Sequence, residues 1–281
     1  MSGRWTVARI AVLLALGVLA ILYLFPFVWM ISTSLKTNKE LYTQPPTFWP
    51  VHPTLEAYSG ALVGARYWVL LQNSVVVCLA TVALALTLAL LIAYPLTRLP
   101  VPPGLRRGLL SWLLSLRFLP SIVVVVPIFA TVRTVGLYDR LLALILIYSA
   151  FSLPFAVWML KGFLTEVPQE VEEAALVDGA SRWRAFFQIL LPMLSPGLLA
   201  AGVITFALAW SEFLYALILT ATPRSQTFSI AVWSLVTEFE IIWNQLAALG
   251  VISALVPVAL LLLARRYVIS ALTFGAVREK A

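Results

Sequence analysis

The sequence predicts an all-α protein that crosses a membrane six times, and three observations carry that expectation. Apolar residues fill 62% of the 281 positions and charged residues 11%, with a mean hydropathy of +0.99. A soluble domain averages about 45–50% apolar and roughly 25% charged. Six apolar segments, about 8–32, 70–97, 107–132, 141–164, 193–221 and 245–264, each reach the roughly 20 helical residues that cross a hydrocarbon core. Finally, the basic residues divide unequally between the loops that join those segments.

With both termini placed inside, twelve of the nineteen Lys and Arg fall on the cytoplasmic side: Arg4, Arg9, Arg98, Arg106, Arg107, Lys161, Arg182, Arg184, Arg265, Arg266, Arg278 and Lys280. Lys36, Lys39, Arg66, Arg133, Arg140 and Arg224 fall outside, and Arg117 lies within a span. The positive-inside rule then orients the chain in a cytoplasmic membrane, and its +7 charge is a topology signal that calls for no nucleic-acid partner. Ten Trp and nine Tyr suit the lipid interface. The single Cys78 lies in an apolar run and reads as a small core residue, neither disulfide nor metal ligand.

Taken in order, the first span reads as an uncleaved anchor. Its apolar run from Ile10 to Ile31 exceeds the 7–15 residues of a signal peptide's apolar region, and it ends in Phe25, Phe27 and Trp29 where a cleavage site needs small residues. An external loop, 34–66, follows; Pro45, Pro46, Pro50 and Pro53 remove backbone donors and hold it extended. A cytoplasmic turn, 98–106, carries Pro100, Pro102, Pro103 and Gly104. The third span is expected to break at Pro120 and Pro127, and the fourth carries Pro154. No internal repeat is visible, against the inverted-repeat carriers. The domain is expected to cover 9–270, between a cytoplasmic N-terminus, 1–8, and a cytoplasmic tail, 271–281.

One long cytoplasmic loop, 165–192, separates the fourth and fifth spans. Pro168 suits the first turn of a helix, and Glu170, Glu172 and Glu173 place negative charge near the positive end of its dipole. Helical spacing puts Ala174, Ala175, Asp178 and Gly179 on one narrow arc, which another backbone can approach closely. Gly179 also fits a left-handed helix stop, with Ser181 capping the next helix. The two readings share a short helix–turn–helix at the membrane surface.

The segment EEAALVDGASRWRAFFQILLPMLSP, with Glu173-Ala174-Ala175, Asp178-Gly179 and Ile189-Leu190-Leu191-Pro192, resembles the EAA loop of bacterial ABC importer permeases. The external run PPTFWPVHPTLEAY with Asn73-Ser74, the Gly136-Leu137 pair and the tail from Arg265 to Val277 are similar to the maltose-type sugar permeases. That resemblance implies a type I ABC importer permease fold. It also implies a second homologous permease subunit, a dimeric ATPase docked on the loop, and an extracytoplasmic solute-binding protein. Glu173 would then pair with a basic residue of the ATPase. Gly-Lys never occurs, so the chain has no phosphate-cradling loop of its own; ATP and Mg belong to the partner, and no cofactor is expected here.

Two charges lie within spans. An ionised side chain at mid-membrane costs at least about 2.5–3.5 kcal/mol, so Glu212 and Arg117 either pair with each other or line a substrate path. Trp210 and Tyr215 have the faces to stack on a sugar, and Asn73 is either a polar helix contact or a path residue. Rival readings are a permease for a polyamine or peptide, an ion-coupled carrier, and a membrane-embedded enzyme. A carrier needs a richer set of intramembrane charges. The only histidine, His52, lies in the external loop and leaves no Ser–His dyad within the membrane.

Overall fold

The computed structural model describes residues 2–63, 65–236 and 241–276, with side chains over 9–60, 67–236 and 241–266. Arg4, Arg66 and the tail motif from Tyr267 onward fall outside the described side chains, and Val277, Arg278 and Lys280 outside the described residues. Among the described residues every regular element is helical. The chain forms two compact units, Met1–Trp68 with Ala231–Leu255, and Val69–Ile230 with Val256–Ala281.

In the first unit, α1 (Ser2–Ser34) carries the span Arg9–Ser34, exposed from Arg9 to Trp29 and with Ser32 and Ser34 buried at its end. The following loop is more ordered than its prolines alone suggest. It contains α2 (Asn38–Leu41) and α3 (Glu56–Val63). Lys36 is buried, lies 5.4 Å over the Trp29 ring, and donates to the Thr47 carbonyl. The Glu40 carboxylate accepts from Val51 N (2.7 Å) and Thr47 Oγ1 (3.0 Å), contacts that hold its pKa below the ordinary value. Asn244, in α13 (Trp243–Ala276), donates to the Lys36 carbonyl at 3.3 Å.

The second unit holds α4 (Ala65–Arg98), α5 (Pro103–Ser115), α6 (Ser121–Thr134), α7 (Leu141–Glu166), α8 (Gln169–Val177), α9 (Arg182–Ala185), α10 (Leu191–Trp210) and α11 (Leu214–Leu219). α12 (Phe228–Trp233) follows. Small residues let these helices approach, as lipid supplies no hydrophobic drive for helix association. Ala85, Ala89 and Ala93 form a buried i, i+4 stripe on α4. On α10, Gly197 packs directly under the Phe163 ring of α7. Two apolar clusters result, one around Val77, Leu144, Phe206 and Leu219, the other around Ala89, Leu160, Leu190 and Leu194.

Among the described residues five helices are long and apolar enough to cross a membrane: Arg9–Ser34, Tyr67–Arg98, Leu141–Glu166, Arg182–Trp210 and Trp243–Arg266. The pair Pro103–Phe118 and Ser121–Thr134, bent by 97° at its break, makes a sixth when taken as one span. That break sits at Pro120 alone; Pro127 stays inside α6 and Pro154 inside α7. The fifth apolar segment also differs from expectation. Its helix starts at Arg182, eleven residues before the expected 193, and stops at Trp210. α9 joins α10 through a π-turn, Phe186–Leu190, in which Leu191 N donates to Phe186 O. Pro192 has no N–H to continue the α pattern there, so a wider turn fills the gap.

At one end of the second unit, three side chains fix the segment after α11. Asp139, at φ +60°, accepts from Ala221 N (2.8 Å), Thr222 N (3.0 Å), Thr222 Oγ1 (2.7 Å) and Ser225 Oγ. Asn73 donates to the Pro223 (3.0 Å) and Gln226 (2.9 Å) carbonyls, and the neighbouring Ser74 hydroxyl accepts from Phe228 N (2.7 Å). Burial would raise the Asp139 pKa, but the hydrogen bonds from Ser225, Ala221 and Thr222 outweigh it and hold it at about 2.

Two predictions follow from this packing. A folded-state pKa below the unfolded value of about 3.9 stabilises the protein above that value, and the benefit disappears as pH falls toward 2. The difference in thermal stability between the parent and Asp139→Asn in detergent should be flat above roughly pH 4.5 and shrink below it; a difference unchanged down to pH 2 contradicts the latch. Gly197→Val should lower the melting temperature, since overpacking of this kind costs about 1–3 kcal/mol, and Phe163→Ala should relieve it in the double variant. An unchanged melting temperature for Gly197→Val would show that α7 and α10 are not in close contact there.

Candidate functional sites: a cavity between broken helices and a surface helix

Two interruptions in the membrane helices converge. The turn Leu116–Phe118 and Leu119-Pro120 separate α5 from α6, and Ser211 to Phe213 separate α10 from α11. Between them lies a cavity of about 210 Å³, lined from the first break by Arg117 and Ser121, from the second by Glu212 and Tyr215, and from α7 by Tyr148, Phe151 and Ser152. Backbone irregularity at membrane depth is tolerated only where protein or a water-filled space satisfies it. Glu212 does part of that work, since its carboxylate accepts from Tyr215 N at 3.2 and 3.3 Å and closes the first turn of α11. The buried Tyr148 hydroxyl lies against Glu212 and the buried Tyr215 hydroxyl against Ser121, neither in a well-formed hydrogen bond, and the Tyr215 and Phe151 rings stack with centroids 5.0 Å apart.

Glu212 and Arg117 therefore share one cavity, but among the described residues no ion pair joins them: the Arg117 guanidinium lies 5.3 Å over the Phe155 ring. Trp210 does not line this cavity and stacks on Phe206 at 5.6 Å. Asn73 is also away from it. Its amide protons are used by Pro223 and Gln226, which makes it the polar helix contact of the two alternatives. Sequence reasoning missed Tyr148 and Ser152, which look like ordinary members of an apolar helix. Only the fold shows that they face a gap.

The surface helix–turn–helix has the expected local form, with one correction and with the second of the two readings of Gly179, the left-handed stop. Pro168 is the N-cap of α8 and not within its first turn. Gly179 adopts φ +87° and ends the helix, with Ala180 N bonded to Ala175 O (3.0 Å) and Gly179 N to Leu176 O (3.1 Å), so it does not extend the helical arc. Ser181 caps α9 through Arg184 N at 3.3 Å. Ala175 is only 7% exposed and turns into the protein's own interior. The face left open is Glu173, Ala174 and Asp178 with Val177, an apolar residue 87% exposed.

α8 is tied down from beneath. Arg98, the last residue of α4, donates from Nε to Glu172 Oε1 (2.6 Å) and from Nη2 to the Val167 carbonyl (2.7 Å). Tyr94 Oη donates to Glu172 Oε2 at 3.3 Å. The paired side chains are 7% and 12% exposed. Each charge also suits its helix end, Arg98 at a C-terminus and Glu172 in a first turn. Sequence reasoning assigned Arg98 to topology and Glu172 to the helix dipole; a partner 74 positions away leaves no local signal.

Residues 85–273 match the family described as "Binding-protein-dependent transport system inner membrane component". Sulfoquinovosyl glycerol transport system permease protein SmoH of Agrobacterium fabrum is 35% identical over 266 residues, 94% of this chain and 92% of that protein. Diacetylchitobiose uptake system permease protein DasC of Streptomyces coelicolor is 32% identical over 261 residues, 93% of this chain and 94% of that protein. In fold, the chain is similar to a solved chain of a bacterial ABC transporter involved in the import of the acidic polysaccharide alginate. The TM-score is 0.76 at 20% identity, over 95% of this chain and 98% of that one. A match over two thirds of its length, with relatives similar almost from end to end, makes this chain a member of the family of inner membrane components of binding-protein-dependent transport systems.

Proposed function

We propose that the chain is the permease subunit of an ATP-binding-cassette importer and that it moves a sugar, a mono- or oligosaccharide, across the cytoplasmic membrane. The observation that carries the path is the cavity at the two helix breaks, where Glu212, Ser121, Ser152 and the Tyr148 and Tyr215 hydroxyls converge. A polyol offers donors and acceptors to such a polar cluster, and the stacked Phe151 and Tyr215 offer an apolar face to a sugar ring. The sugar reading draws further support from the relatives, named for the transport of sulfoquinovosyl glycerol and the uptake of diacetylchitobiose. Arg117 and Glu212 line the path in this reading, whereas Asn73 and Trp210 serve packing.

Energy comes from a separate dimeric ATPase, which holds the ATP and Mg and docks on the open face of α8 through Glu173, Ala174, Val177 and Asp178. Gly179 sets the turn that presents this face. Both termini and this loop face the cytoplasm, as the distribution of basic residues favours. A second homologous permease completes the path, and an extracytoplasmic binding protein delivers the solute.

Vesicles containing the full complex, given a panel of labelled mono- and oligosaccharides, should take up at least one of them in an ATP-dependent manner. Failure of every sugar alongside uptake of a polyamine or peptide would overturn the substrate class. For the sugar that is taken up, Tyr148→Phe should leave the amount of folded protein nearly unchanged, because the lost hydroxyl lies against Glu212 without a well-formed hydrogen bond. It should raise KM about three- to tenfold, the worth of one hydrogen bond. Glu212→Gln should transport better than Glu212→Leu, because the amide keeps an oxygen for Tyr215 N and for solute. Unaltered kinetics in both Tyr148→Phe and Glu212→Leu would remove the cavity from the path.

A further inference from the structure

We infer that Arg98 and Glu172 are positioning residues that turn a push on α8 into movement of the membrane helices. The inference rests on the docking of an ATPase on α8. A short surface helix pushed from outside can tilt by itself, leaving the spans where they are, unless something beneath it resists. Here a polar node centred on Arg98 supplies that resistance. Arg98 grips Glu172 in the first turn of α8 and the Val167 carbonyl just after α7 at the same time. Tyr94, one turn earlier on α4, bonds the other Glu172 oxygen and meets Phe186, in the helix that runs into α10, edge to face at 5.1 Å. One node therefore joins α8 to α4, α7 and the helix entering α10.

The arrangement extends to the far end of α4. From Arg98 to Asn73 the helix spans about 37 Å at 1.5 Å per residue. There Asn73 and Ser74 hold Pro223, Gln226 and Phe228, in the segment that follows α11. α4 is thus fastened at one end to the docking helix and at the other to the segment after the broken span that lines the cavity. A planar guanidinium with several donors suits such a node because it holds two acceptors in fixed directions, which a lysine ammonium does not. Glu173, the neighbour of Glu172, is exposed and remains available to a partner. Adjacent glutamates thus divide the work, one facing the ATPase and one facing the spans.

The test uses the full complex in vesicles and measures folded yield, retained ATPase, ATP turnover and solute uptake per ATP. Arg98→Ala and Glu172→Ala should keep the ATPase bound and turning over, but lower uptake per ATP about tenfold, within the usual range of coupling factors. The double variant should be no worse than the worse single, since the two act as one unit. Arg98→Lys, which keeps the charge but not the fork, is the variant that spares the fold; it should retain yield and still lower uptake per ATP. Uptake per ATP equal to the parent in Arg98→Lys and in both alanine variants would overturn the inference. So would losses explained entirely by yield or by ATPase release, which mark a structural pin. Cross-linking of Ala174→Cys, in a Cys78→Ser background, to the ATPase tests the docking separately. If no cross-link forms, docking falls; if it forms and all variants stay coupled, only the role of Arg98 and Glu172 falls.

Discussion

A bilayer interior offers no water to a backbone group that has lost its helical partner, so each interruption of a membrane helix must be answered by protein or by a wet cavity. Two such interruptions, at Pro120 and at Ser211 to Phe213, meet across α7 in this chain. Much of the second unit's arrangement follows from keeping them together. Glu212 closes the first turn of α11. The segment after α11 is held by Asp139 from the turn before α7 and by Asn73 from α4. Small residues such as Gly197 and Ala89 bring α4, α7 and α10 close enough to wall the gap. The polar groups left over in that wall are those a solute with hydroxyls could use.

Local chemistry was legible in the sequence and distant pairing was not. Apolar runs locate the spans because their length and composition are properties of contiguous residues. Gly179 and Ser181 could be assigned because a left-handed stop and a hydroxyl cap need only a few neighbours. The fifth span was misplaced because its first turns, Arg182 to Gln188, are polar and aromatic in composition yet helical through the π-turn ahead of Pro192. The open arc of α8 was misjudged at Ala175, since helical spacing says which residues share a face but not which of them the rest of the protein covers.

Intramembrane charge gave a partial answer for the same reason. The cost of burying Glu212 and Arg117 left two expectations, an ion pair or a place on a path, and the structure sets both side chains on one cavity with no ion pair between them. That cost could not choose between pairing and lining, because that depends on a 97° bend and on Phe155 lying beneath the guanidinium. The loop after α1 shows the opposite case. Its prolines suggested an extended connector, while Lys36, Glu40 and Thr47 fold it through hydrogen bonds that no periodicity announces.

The central claim is the proposal that the cavity between the two breaks is part of the solute path of the importer, which must open to one side at a time to move its solute. Ser121 lines it and is exposed, so Ser121→Cys in a Cys78→Ala background places one thiol within the path. Impermeant thiol reagents applied from each side of vesicles containing the full complex report which way the path opens. The account predicts labelling from the cytoplasmic side without nucleotide, and from the external side when the ATPase dimer is held closed with ATP. Labelling from the same side in both states, or from neither side in either state, would contradict it.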